Sequence, residues 1–100
     1  MLRHTGQPPC LREIGAGLEE EGVPCRTETA AEGSAPELAF AAALASALDV
    51  GVGVDAEGSV CVHHAKLPPD APALAGPASS ARAMGQNAAR LVTGIPLKNV

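Results

Sequence analysis

Leu11, Ile14 and Leu18 recur at i, i+3 and i+7 and predict one face of a helix from about Pro9 to Glu21. Gly22 marks its end, and Pro24 blocks continuation. Val23 to Thr27 (VPCRT) then reads as a short strand. Ser34 to Glu37 (SAPE) has the form of a capping box, with Ser34 as N-cap, Pro36 in the first turn and Glu37 reaching back. The Ala-rich helix it opens is predicted to run to about Leu48.

Val50, Val52 and Val54 alternate with Gly51 and Gly53. Val60, Val62 and His64 alternate with Cys61 and His63. Asp55 to Gly58 between them has turn chemistry, which predicts two antiparallel strands joined by a tight turn. The glycines strip one strand face of side chains, so another backbone or helix can come close. LPPDAPALAGPA (67–78) carries Pro68, Pro69, Pro72 and Pro77 and reads as an extended loop, neither helix nor inner strand. Ser79 or Ser80 caps a last helix to about Thr93, with Met84, Ala88 and Leu91 on its inner face and Gly94 as its stop. This order predicts a single α/β domain over residues 1–100, layered around one sheet, with no internal repeat.

Composition narrows the function. The chain has 100 residues, 46% of them hydrophobic, yet Phe40 is the only aromatic, so Ala, Val, Leu and Ile must build the core. The net charge is −4, with no basic cluster and no aromatic platform for stacking bases, which argues against nucleic-acid binding. Cys10, Cys25 and Cys61 are odd in number and far apart, so a disulfide framework or structural zinc is not expected and a reducing cytoplasm fits. The N-terminal MLRHTGQPPC lacks an apolar signal-peptide core, and the longest apolar run, Leu38 to Leu48, is too short to cross a membrane.

Most candidate chemistry has a plain explanation. GVGVD lacks the third glycine of a dinucleotide fingerprint and is followed by a turn and a strand where that motif needs a helix. His63 and His64 are neighbours on a strand, so they face opposite ways and cannot easily share a metal, and an ordinary surface or partly buried pair is the expected reading over a ligand role. His4 stands alone, Lys66 and Arg90 read as single charges, solvated or paired at the surface, and no nucleophile elbow or Cys–His pair is evident. The exception is Glu19, Glu20 and Glu21, crowded at the negative end of the first helix. Each acid there is unfavourable by a few tenths of a kcal/mol, up to about 1. At about 100° per residue, Glu20 lies nearly opposite the apolar face, with Glu19 and Glu21 on its flanks. Either this is a solvated helix end, or an outward carboxylate meets a cation from another molecule. A metal ion would offset both the repulsion and the dipole.

Three segments, GLEEEGVPCR (17–26), VGVGVDAEGSVCVHHAKLPPDAPAL (50–74) and GQNAARLVTGIPLK (85–98), together resemble the small subunit of the diol/glycerol dehydratase reactivase. The resemblance covers about residues 11–98 and is weakest across the Ala-rich helix. It implies a three-layer Rossmann-like sheet with flanking helices, similar to the dehydratase medium subunit core. Residues 1–8 then stand where the family has an apolar first strand, here short or incomplete, and 94–100 form a tail. The resemblance further implies a non-catalytic subunit with no cofactor of its own, partnered by a large ATPase subunit that holds magnesium and ATP or ADP. In the family this pair acts as a chaperone on an adenosylcobalamin-dependent dehydratase. It releases damaged cobalamin by exchanging the small subunit against the medium one, in the cytoplasm, free or within a protein shell. By position, Glu20 is the carboxylate given to a divalent-metal site in the large subunit. The alternatives are a fragment or paralogue of the dehydratase medium subunit, or a free-standing flavodoxin-like ligand-binding module.

Overall fold

The computed structural model describes residues 1–6, 9–23, 25–94 and 96–97. Gln7 and Pro8 of the first segment, Pro24 behind the first helix, and 95 and 98–100 of the tail lie outside the described residues. The strands are β1 (Leu2–His4), β2 (Thr27–Thr29), β3 (Val50–Val54), β4 (Val60–His64) and β5 (Leu74–Gly76). They form one sheet in the order β2-β1-β3-β4-β5. β1 runs parallel to both of its neighbours, whereas β3, β4 and β5 pair antiparallel. The helices are α1 (Leu11–Glu20), α2 (Ala35–Ala45) and α3 (Ala81–Thr93), the last entered through a single 3-10 turn at Ala78–Ser80.

Alternation along the strands divides the molecule into three layers. Leu2, Val50, Val52, Val54, Val60 and Val62 pack with Ile14 and Leu18 of α1 and Met84 and Ala88 of α3. The opposite face belongs to α2. There a Cβ on Gly51 or Gly53 would overlap the α2 backbone at Ala35, Ala39, Ala42 and Ala43. An alanine helix therefore lies directly on a glycine strand, the close approach that the VGVGV pattern predicts. α1 and α3 meet in the same way. A Cβ on Gly17 would strike the α3 backbone at Arg82 and Gln86, and one on Gly85 would strike Ile14.

Four expectations are corrected. The strand expected over Val23–Thr27 is instead Thr27–Thr29, fixed by pairing of Leu2 with Thr27 and His4 with Thr29. Val23 and Cys25 are half-buried connection residues packed on the core. α2 stops at Ala45, not near Leu48. Ser46 is extended, its hydroxyl accepts from the Leu48 N–H at 3.1 Å, and Asp49 takes φ 61° to enter β3. The Pro-rich segment holds an edge strand, β5, framed by Pro72 and Pro77. Ser80 precedes α3 but makes no side-chain cap, because the 3-10 turn supplies the entry through Ser80 N–H to Pro77 O at 2.9 Å. The first strand is present and short. It sits between β2 and β3, with Leu2 and His4 buried.

Candidate functional site

All three helices end at the edge of the sheet where β1 and β3 begin. The end of α2 and the β2 approach leave a cavity of about 400 Å3 there, lined by Leu18, Val23, Leu48, Val50, Val52 and Val92, with Cys25 and Arg26 also on its wall. Burial pushes the Cys25 thiol above its ordinary value, which makes it a poor nucleophile at neutral pH. Beside the cavity, Leu44 is 61% and Leu48 54% exposed, the largest such exposures among the described residues. α2 is apolar nearly all round, yet only Ala35, Leu38, Ala39, Ala42 and Ala43 are buried. A helix of that composition normally has cover on both sides. The uncovered apolar surface therefore lies at the end of α2. Elsewhere, the Gly51–Val54 strand is fully buried and offers no docking surface, the α1 end borders the cavity, and Leu67 at the start of the Pro-rich segment is 37% exposed.

The acids of α1 stand beside this end. α1 has no basic residue in its last turn, and α3 supplies them. Arg82 donates from Nε to Glu20 Oε1 at 2.7 Å and from Nη1 to Glu13 Oε2 at 2.8 Å. Gln86 Nε2 donates to the same Glu20 oxygen at 3.0 Å. Arg90 Nε donates to Glu21 Oε1 at 2.8 Å. Hydrogen bonds first to Glu20 and then to Glu13 hold the Arg82 guanidinium well above its ordinary value. Glu20 is exposed, as its helix phase predicts, but it leans on α3. The crowded acids are thus partly neutralised within the chain, and Arg90, expected to be either solvated or paired at the surface, is paired with Glu21. Arg82 and Gln86 are the residues that pattern reading misses.

The carboxyl ends of β1 and β3 mark the crevice where open α/β sheets commonly bind ligands. Here it is lined by Thr5, Ser34, Glu32, Asp55 and Glu57, with no basic side chain. Asp55 Oδ1 already accepts from the Glu57 and Ser59 N–H groups, and the α2 N-terminus is closed by Ser34 and Glu37. An anionic cofactor would meet carboxylates there and a helix end already capped. This weighs against a flavodoxin-like module.

The histidines do not come together. His63, opposite Gly51, is fully buried and stacks obliquely on Phe40 with ring centroids 4.9 Å apart. Its Nε2 lies 3.3 Å from Pro69 O, so it fastens the Pro-rich loop. His64, opposite Val50, accepts from the Lys66 N–H at 3.1 Å. His4 is buried on β1 beside Gly6 O, at 2.9 Å. Among the described residues, no three His, Cys, Asp or Glu side chains gather as a metal cage, and no helix is long and apolar enough to cross a membrane.

Fold and site together define a three-layer α/β domain of strand order 2-1-3-4-5, acidic at the crevice beyond the carboxyl ends of β1 and β3 and apolar at the opposite end. The dehydratase medium subunit family matches residues 2–98. Among solved structures, a glycerol dehydratase reactivase is 37% identical at a TM-score of 0.89, with 98% of this chain and 95% of that chain covered. A diol dehydratase-reactivating factor complexed with ADP and Mg2+ is 35% identical at a TM-score of 0.88, with 98% and 94% covered. A comparison with curated protein sequences gives no match. The chain belongs to the dehydratase medium subunit family, in the branch of the diol and glycerol dehydratase reactivase small subunits. That kinship supports a reactivating-factor role. For a divalent cation, Glu20 fits as one exposed oxygen donor, and the remaining ligands would have to come from another chain.

Proposed function

We propose that this chain is the non-catalytic small subunit of a chaperone-like reactivating factor for an adenosylcobalamin-dependent diol or glycerol dehydratase. With a large ATPase subunit that holds magnesium and ATP or ADP, it opens a dehydratase carrying damaged cobalamin by exchanging against the medium subunit. The observation that carries this reading is likeness over nearly the whole of both chains, at 37% identity, to a glycerol dehydratase reactivase. Exchange between the reactivase small subunit and the dehydratase medium subunit asks that the two share a fold, and this chain, similar to a reactivase, also matches the medium subunit family, which supports it. It also asks for a docking surface left uncovered in the free chain, and Leu44, Leu48 and the adjoining cavity offer one. Glu20, at the neighbouring helix end, is proposed as the carboxylate given to the large subunit's metal.

The test is association with the large subunit. Leu44→Ser replaces an exposed side chain, so it should change stability by less than about 0.5 kcal/mol while weakening the complex. Docking over the cavity should also protect Cys25 from alkylation. Unchanged affinity together with an equally reactive Cys25 in the complex would place the interface elsewhere. The alternative, a piece of a dehydratase medium subunit, is favoured by the family match. It predicts retention of cobalamin together with dehydratase chains, where the reactivase reading predicts an ATPase partner.

A further inference from the structure

We propose that Arg82 is an internal latch on Glu20. In the free subunit it occupies the Glu20 carboxylate, and on docking it withdraws to Glu13 and yields Glu20 to the partner's cation. This rests on the proposed role of Glu20 and names how that role is regulated.

The geometry supplies each part of such a device. Arg82 holds its two acids through different nitrogens, Nε for Glu20 and Nη1 for Glu13. Glu13 and Glu20 are two turns apart on one side of α1, so the guanidinium bridges them. Losing Glu20 therefore leaves Arg82 still paired. The alternative partner is already in contact, and no charge is stranded by the change.

The strength is also suitable. Side-chain exposure is 49% for Arg82, 46% for Glu20 and 50% for Glu13, and ion pairs that open to water exchange easily. The Arg90–Glu21 pair, two turns further along α3, is about half as exposed, at 23% and 19%, and is the fixed member of the set. A cation taken up through Glu20 Oε1 would compete with two donors, because that oxygen already accepts from both Arg82 and Gln86. A divalent cation at coordination distance from that oxygen would face the guanidinium charge at close range. Only the side chain need move. The Arg82 carbonyl is packed against Gly17, so the backbone of α3 stays in place.

The test compares binding of the full chain to the large subunit in magnesium and in chelator, for wild type, Arg82→Gln, Glu13→Gln and Glu20→Gln. Arg82→Gln should tighten the magnesium-dependent complex about two- to fivefold and leave binding in chelator unchanged. Glu13→Gln should weaken the magnesium complex, because Arg82 then has Glu20 alone to hold. Arg82→Lys keeps the charge without the two-nitrogen bridge and should fall between wild type and Arg82→Gln. The opposite signs matter: a purely structural bridge between α1 and α3 predicts that Arg82→Gln and Glu13→Gln both weaken binding, equally in magnesium and in chelator. That result would overturn the latch. If Glu20→Gln abolishes the magnesium dependence and Arg82→Gln does not tighten binding, the latch alone fails. If Glu20→Gln binds as wild type in magnesium, the metal role of Glu20 fails first, and the latch with it.

Discussion

Arg90 grips Glu21 with two nitrogens, Nε at 2.8 Å from Oε1 and Nη2 at 3.5 Å from Oε2. This bond joins the ends of α1 and α3, and it brings a cation to a helix terminus whose own last turn has none. Arg90 Nη1 also reaches Pro96 O at 3.3 Å, so the same side chain holds the chain beyond Gly94.

Arg90→Met keeps most of the aliphatic stem and removes the charge. Glu21 would then be a half-buried, unpaired acid at the negative end of a helix. We expect a loss of about 1–2 kcal/mol in chemical denaturation. Adding Glu21→Gln should recover part of that loss, and a double-mutant cycle gives the coupling directly.

The α1–α3 contact depends on two missing side chains. Gly17→Ala would drive a Cβ into the Arg82 carbonyl and the Gln86 amide, which are backbone atoms that cannot swing aside. Helix propensity alone would favour alanine by about 1 kcal/mol. Overpacking should win, for a net destabilisation of about 1–3 kcal/mol. Gly15→Ala is the control: its Cβ meets nothing within 4 Å, so it should be neutral or stabilising. Thermal melts should show a lowered midpoint for Gly17→Ala and no lowering for Gly15→Ala.

Ser34 and Glu37 close the α2 N-terminus reciprocally, at 3.3 Å and 3.1 Å. Ser34→Ala should cost about 1 kcal/mol. The backbone N–H of Ser34, and then its side chain, hold the Glu37 carboxyl below its ordinary value of 4.5. A lowered folded-state value means that the contribution is complete above 4.5 and is lost as pH falls through the folded value. The melting-temperature gap between wild type and Glu37→Ala should therefore hold above about pH 4.5 and narrow as the pH falls below it. A gap independent of pH would show that the carboxylate is not what caps the helix.

The layers of this fold are legible because their signals are local. The Ser34–Glu37 box, the VGVGV alternation, the Asp55–Gly58 turn and the Gly94 stop, at φ 77°, each specify an element without help from distant residues. What escaped is set by tertiary pairing. β2 is Thr-Glu-Thr, exposed throughout, and only its register with Leu2–His4 makes it a strand. β5 is three residues between prolines, defined by β4. At the candidate site, helix phase places Glu20 outward but cannot say that α3 is alongside. One signal was available: Glu13 and Glu21 are eight residues apart, as are Arg82 and Arg90. Two helices packed side by side in the same direction through Gly17 and Gly85 bring those pairs into register.

The most direct measurement is reactivation itself. An adenosylcobalamin-dependent diol or glycerol dehydratase is first inactivated with its damaged cofactor in place. It is then incubated with fresh adenosylcobalamin, ATP, magnesium and the large ATPase subunit, with or without this chain. The account predicts that activity returns only when the chain is present, and that damaged cobalamin is released into solution in the same samples. Full recovery without the chain, or none with it although it binds the large subunit, would contradict the assignment.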